Sequence, residues 1–207
     1  MSRIKIRTAK EDFWLSVPIK RDSETLIKDV LVDNGQDWKA RHLSLFGEHY
    51  RKAPYFSESL ALLKTLYEAD YERLCDLTIR STEIIHEYFG YESHYLKTSD
   101  FPIAKSSNKS EHVIEMVKYF GADTILSAWG ALKFYDFDLF ERNGVRVEFI
   151  KYSNDAYPQI HGDFHLHVSV LDLIANCGKG GRQFLSAGTE YWPSFIKTPE
   201  AEAYLNK

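Results

Sequence analysis

A chain of 207 residues that is 44% hydrophobic, 27% charged and 14% aromatic has the makeup of a folded domain with ample material for a core. Its formal charge of −4 excludes the basic excess of a dedicated nucleic-acid binder. No apolar run nears the roughly 18 residues that span a bilayer, and the stretch from Met1 to Arg7 has no apolar centre of a secretory signal.

The elements follow from hydrophobic period. Ile4 and Ile6 alternate with Lys5 and Arg7, and after a polar turn Phe13 to Ile19 runs apolar, which predicts a β-hairpin. Pro18 confines its second strand to an edge or ends it. Leu26 to Val32 reads as another strand, closed by the turn Asp33-Asn34-Gly35. From Trp38 the period becomes helical: one helix opens near Trp38, a second carries Leu60, Leu63 and Leu66, and a third spans Tyr71 to Phe89 with Gly90 as its stop.

Strand and helix then alternate. Glu92 to Leu96 reads as a strand and Thr98 to Lys109 as a polar loop. Asn108 and Glu111 form a capping-box pattern ahead of a helix striped by Val113, Ile114, Val117 and Phe120. Thr124 to Ser127 predicts a strand, Leu132 to Arg142 a helix and Val145 to Tyr152 a strand. The order predicts one α/β domain over residues 1–207, with a mixed, partly parallel sheet and crossover helices. A helical insertion of about residues 36–90 follows the first strands, and a loosely held tail begins at about residue 198. Ligands of open α/β sheets sit beyond the carboxyl ends of strands, which points to the loop Thr98–Lys109 and the turn at Ser127.

The densest chemistry lies between Tyr157 and Gly178. If the segment is extended, His161, Asp163, His165 and His167 share one face and present imidazole and carboxylate donors suited to a divalent metal. The structural alternative places His161 beside a turn at Gly162 and leaves the others exposed or hydrogen-bonded. Ser169, Asp172 and Asn176 fall on one helix face, where they line a pocket or, for the first two, cap the helix. Gly178-Lys179-Gly180-Gly181-Arg182 has the composition of an anion-cradling loop, but its spacing is not that of a P-loop; a helix-ending glycine and a solvated turn is the stronger reading. Trp38 and His42, one turn apart, suit either stacking on a sugar or an amphipathic core edge. Lys52, beside Arg51, suits an acidic ligand or plain solvation. Cys75 and Cys177, far apart and without a CxxC pair, point to a reducing compartment, so the protein is expected in the cytoplasm.

In order, Arg3-Ile4-Lys5, Trp14-Leu15-Ser16-Val17-Pro18-Ile19, Trp38…His42, Tyr50-Arg51-Lys52-Ala53-Pro54-Tyr55-Phe56, Phe120 to Ser127, Tyr157-Pro158-Gln159 and Phe164 to Gly178 resemble the WbqC-like family of bacterial proteins over nearly the whole chain. The resemblance implies a cytoplasmic role in surface-polysaccharide (O-antigen-type) biosynthesis, acting on a sugar-derived, nucleotide-linked metabolite, with group transfer as the reaction class and glycan-assembly enzymes as partners. It identifies no cofactor. The chain departs from the family pattern in two places: a segment with His-Gln-Pro and a later Asp-Asp pair is expected ahead of Met1, and His165 and His167 stand where other residues are usual.

On this reading His161 is the candidate catalytic base, since imidazole exchanges protons near neutral pH. Trp38, His42, Lys52, Ser127, Tyr157, Gln159, Asp172 and Asn176 are the candidate ligand-binding residues. The alternatives are a metal site at His161, Asp163, His165 and His167, and a non-catalytic partner of glycan enzymes.

Overall fold

The computed structural model describes residues 2–103, 106–152, 155–185 and 187–206. Its strands are β1 (Arg3–Arg7), β2 (Asp12–Ser16), β3 (Ile19–Lys20), β4 (Leu31–Val32), β5 (Thr124–Ser127), β6 (Arg146–Tyr152) and β7 (Ala187–Tyr191). Its helices are α1 (Trp38–Tyr50), α2 (Phe56–Glu68), α3 (Leu74–Phe89), α4 (Lys109–Tyr119), α5 (Phe137–Arg142), α6 (Val170–Cys177), α7 (Trp192–Phe195) and α8 (Pro199–Leu205). The fold is mixed α/β. It divides into two compact units, Met1–Tyr95 with Asn154–Phe184, and Leu96–Ser153 with Leu185–Lys207.

In the first unit β1 and β2 form the predicted antiparallel hairpin, with Ile4 opposite Leu15 and Ile6 opposite Phe13. Pro18, which has no N–H to give a ladder, separates β2 from β3. The strand expected over Leu26 to Val32 shrinks to the two residues of β4, paired with β3. Before it the chain tightens into a 3-10 turn at Ile27–Asp29, where the Asp29 N–H donates to Leu26 O at 2.8 Å and Ile27 is left 87% exposed. A strand there lacks both a partner and a face to bury.

The predicted helical stretch is α1, α2 and α3. In α1 the residues Trp38, His42, Phe46 and Tyr50 follow at intervals of four and are all buried, a single stripe turned to the core. Phe46 and Tyr50 stack at 4.6 Å and pack with Ile6, Leu15, Leu63, Leu171 and Ala175. The third helix starts at Leu74, later than Tyr71, because Arg73 is still extended. Glu92 to Leu96 forms no strand; Tyr95 instead hydrogen-bonds His86 at 2.9 Å.

Helix α6 is wrapped by the rest of this unit. Ser59, fully buried, donates to Leu171 O at 2.9 Å, the Tyr55 N–H donates to Ala175 O at 2.9 Å, and the Ser169 N–H donates to Lys5 O at 2.7 Å. The helix ends at Gly178, whose φ of +56° is natural only for glycine and whose Cα faces the Tyr55 ring.

The second unit carries the partly parallel sheet, in the order β5-β6-β7. Parallel β5 and β6 are joined by a crossover through α5, as expected, while β7 adds antiparallel to β6 and was not legible in the sequence. The predicted helix from Leu132 to Arg142 splits into a 3-10 stretch, Trp129–Lys133, and α5, because Asp136 caps a new start by accepting from Leu139 N at 3.0 Å. Asn108 caps α4 through the amides of Ser110 and Glu111, but Glu111 turns to the Ser106 hydroxyl at 2.6 Å, so only half of the capping box forms. The tail is not loose: Thr198 caps α8 and Ala201 is fully buried against the core around Phe140, Phe149 and Phe195. Because no strand precedes it, the loop from Thr98, whose residues 104 and 105 lie outside the described ones, loses its positional claim to a ligand site.

A Cβ at Gly178 would sit 2.6 Å from Tyr55 Cδ1, whereas one at Gly180 meets nothing within 4 Å. Gly178→Ala is expected to lower unfolding stability by about 2 kcal/mol and Gly180→Ala by less than about 0.5 kcal/mol, measured by urea denaturation.

Candidate functional site

The site is built around one buried carboxylate. Asp172, in the first turn of α6, is 1% exposed. Ionised carboxylates lie inside a protein only when donors replace the lost water. Here Tyr50 Oη donates to Oδ1 at 2.7 Å, and Tyr157 Oη and Gln159 Nε2 each donate to Oδ2 at 2.8 Å. Burial first, and the Asp172 charge second, push both tyrosine hydroxyls well above the ordinary phenol range, so both remain donors. The capping alternative therefore divides: Ser169 caps α6 by accepting from Leu171 N at 3.3 Å, while Asp172 reaches away to the tyrosines.

Gln159 links this carboxylate to a cation. Its Oε1 accepts from Arg7 Nη1 and from the His165 N–H, both at 2.8 Å, and its Nε2 also donates to His165 O at 3.1 Å. The side-chain amide thus pairs with both backbone groups of His165 as a neighbouring strand would, and draws the segment from Tyr157 to His165 into a closed loop. Asn176 holds the same loop from below, accepting from Ile160 N at 3.0 Å and donating to Asp172 O at 2.8 Å. Arg7 lies under Gly162, where a Cβ would come within 3.2 Å of Nη2. The Arg7 N–H in turn donates to Tyr50 Oη at 3.0 Å.

His161 stands on this loop, edge-on to the Tyr50 ring at 5.9 Å, with Nε2 2.9 Å from His49 O. A carbonyl only accepts, so Nε2 carries the hydrogen and Nδ1 holds the basic lone pair. The segment after it is not a strand. His165 lies 3.7 Å from Asp12, while Asp163 and His167 are exposed. Among the described residues no three His, Cys, Asp or Glu side chains are grouped to hold a metal.

The other singled-out residues lie elsewhere. Trp38 and His42 are buried, the indole edge-on to the His42 ring at 5.3 Å and to the Tyr67 ring at 5.0 Å. His42 Nε2 donates to Ser16 O at 3.1 Å and Nδ1 accepts from Tyr67 Oη at 2.8 Å. Lys52 is exposed in the turn after α1. Ser127 belongs to the second unit, where its hydroxyl pairs with Tyr135 Oη at 3.2 Å. Gly178 and Gly181 face the Tyr55 and Leu173 side chains, which accounts for glycine there by packing without an anion.

A cleft of about 290 Å³ also opens in the first unit, between the hairpin, α2, α3 and the start of α6. Of the candidate ligand residues only His42 lines it; Tyr157, Gln159 and Asn176 do not. The sequence missed Arg7 and Tyr50 as members of the polar centre. Tyr50 was within reach, as the last member of the four-residue stripe that starts at Trp38; Arg7 gave no signal beyond strand alternation.

Fold and site together define a mixed α/β protein with a buried Asp–Tyr–Gln–Arg polar centre in its first unit. The chain belongs to the WbqC-like protein family, whose model matches residues 1–184. It is also similar to the uncharacterized protein Rv1507c of Mycobacterium tuberculosis (strain ATCC 25618 / H37Rv), with 27% identity over 188 residues, covering 89% of this chain and 80% of that protein. No solved structure matches it. Among the described residues no helix is long and apolar enough to cross a membrane.

Asp172→Ala strands three buried donors and is expected to cost about 3–5 kcal/mol, against about 1–2 kcal/mol for Tyr157→Phe, by chemical denaturation. Burial lowers the His42 pKa from its ordinary 6.5. The folded state thus favours the neutral ring, and this contribution is complete above 6.5 and lost as pH falls towards the folded value. His42→Gln should flatten the fall in unfolding free energy from about pH 7 to about pH 5.

Proposed function

We propose that the protein binds a sugar-derived, nucleotide-linked metabolite and serves bacterial surface-polysaccharide biosynthesis, with group transfer to the sugar as its reaction. The observation that carries this reading is the convergence of Tyr157, Gln159, Asp172 and Asn176 in one hydrogen-bonded centre, joined by Arg7 and bearing His161 on its loop. Kinship with the WbqC-like family supports the sugar-linked setting.

In this mechanism the donors around Asp172 fix the loop, so that the lone pair on His161 Nδ1 is held in place to take the proton of a sugar hydroxyl or amine as that atom attacks the activated group of a second substrate, and to return the proton to the carrier that leaves as its bond to the group breaks. Arg7 spends one guanidinium hydrogen on Gln159 out of five, and a guanidinium matches phosphate oxygens in a two-point contact. A second reading, a non-catalytic partner of glycan-assembly enzymes, is favoured by the saturation of Gln159, whose side-chain amide is fully engaged within the protein.

Calorimetric titration with uridine-, thymidine- and guanosine-diphosphate sugars tests the proposal. Saturable binding is expected, weakened about tenfold or more by Arg7→Ala, while His161→Ala keeps binding and removes turnover. Binding by none of the panel contradicts the reading. Binding without turnover, unchanged by His161→Ala, selects the non-catalytic one.

A further inference from the structure

We propose that the cleft of the first unit is a binding site for an aliphatic chain of about ten carbons that ends in an anionic head, the chemistry of a medium-chain acyl group. This site is separate from the sugar reading, and a guest held here neither needs nor excludes a ligand at Arg7 and Gln159.

The walls decide against a polar guest. Leu62, Leu66, Leu77, Ile85, Val170 and Leu171 supply apolar surface from three helices. Polar side chains do reach the cleft, but the hydroxyls of α3 and the ring of His42 are committed within the protein. Thr78 Oγ1 donates to Cys75 O at 2.9 Å, Ser81 Oγ to Thr78 O at 2.7 Å and Thr82 Oγ1 to Thr78 O at 3.0 Å, each back onto its own helix. His42 is bonded at both nitrogens, and the Tyr67 hydroxyl is spent on it. His86 Nδ1 is shared with Tyr95 Oη. A sugar or base pressed against the leucine, isoleucine and valine walls leaves most of its hydroxyls and amides without partners, which is costly, whereas a methylene chain loses nothing.

Size and charge set the rest. An apolar cavity of about 150 Å³ accommodates benzene, so a cleft of about 290 Å³ holds roughly a dozen carbon-sized atoms. Arg3 also lines the cleft and is exposed. Its guanidinium carbon sits over the Trp14 ring, 4.3 Å from the centroid. A cation–π contact of that kind leaves guanidinium N–H groups for an anion. A free carboxylate places a negative group where an aliphatic chain ends.

The test is a calorimetric titration of the full chain with octanoate, decanoate, dodecanoate and hexadecanoate below their micelle concentrations, with decanol as the uncharged control. Affinity is expected to rise with each added pair of carbons to dodecanoate and to drop at hexadecanoate. Ile85→Phe, which fills the cleft, is expected to weaken decanoate about tenfold or more without lowering the melting temperature. Arg3→Ala, at an exposed position that folding does not need, is expected to weaken decanoate about fivefold or more and to leave decanol unchanged. No saturable binding of any chain, indifference to chain length, or an equal response of decanoate and decanol to Arg3→Ala overturns the proposal. None of these results bears on sugar-nucleotide binding, which fails or stands by its own titration.

Discussion

A carboxylate placed out of reach of water needs partners, and the first unit is arranged to supply them to Asp172. Tyr50 arrives from the end of α1, while Tyr157 and Gln159 come from a loop that has no regular structure of its own. Together the donors tie two separate pieces of chain to α6. Loss of any one leaves the others around a charge they satisfy incompletely. This requirement, more than apolar packing, explains how a segment as polar as residues 157–167 keeps a defined shape.

The same centre sets the chemistry available on its surface. Gln159 passes the effect outward to Arg7 and fixes the backbone at His165, and the loop it closes carries His161 with its basic nitrogen defined by the bond to His49 O. The first unit therefore holds two environments joined by α6. Ser169, Val170 and Leu171 border an apolar cleft, and the next residue is the charged hub of a polar network. One short helix thus gives an apolar wall on one side and a fixed acceptor on the other.

Much of the architecture was legible because period is a local property. The hairpin, α1 to α3 and the parallel pair β5 and β6 all follow from alternation or from apolar stripes that any chain of this pattern would bury. What was not legible depended on distant partners. Leu26 to Val32 has the residues of a strand but only two of them find a neighbour, and Ala187-Gly188-Thr189-Glu190-Tyr191 has no apolar alternation yet pairs along β6. The tail read as loose because Thr198 and Ala201 look ordinary until the aromatic core they meet is known. At the site, clustering of polar residues between 157 and 176 pointed to the segment in which the hydrogen-bonded centre forms. It did not reveal whether Asp172 caps its helix or serves as the hub, since that turns on Tyr50, over a hundred residues away. Extension of the histidine segment was an assumption about backbone shape, and the bends at 160–163 remove it. Trp38 and His42 fit a stacking platform and a core edge equally well in sequence; burial decides for the core.

Amide hydrogen exchange in Gln159→Ala asks most directly whether the Asp172 network latches this loop. If it does, the amides of Ile160 and His165 exchange about tenfold or more faster than in the unaltered chain while those of α6 keep their protection. Unchanged protection at His165 would mean that the loop holds its shape without the Gln159 link to the buried carboxylate, and that the latching role given to this network is mistaken.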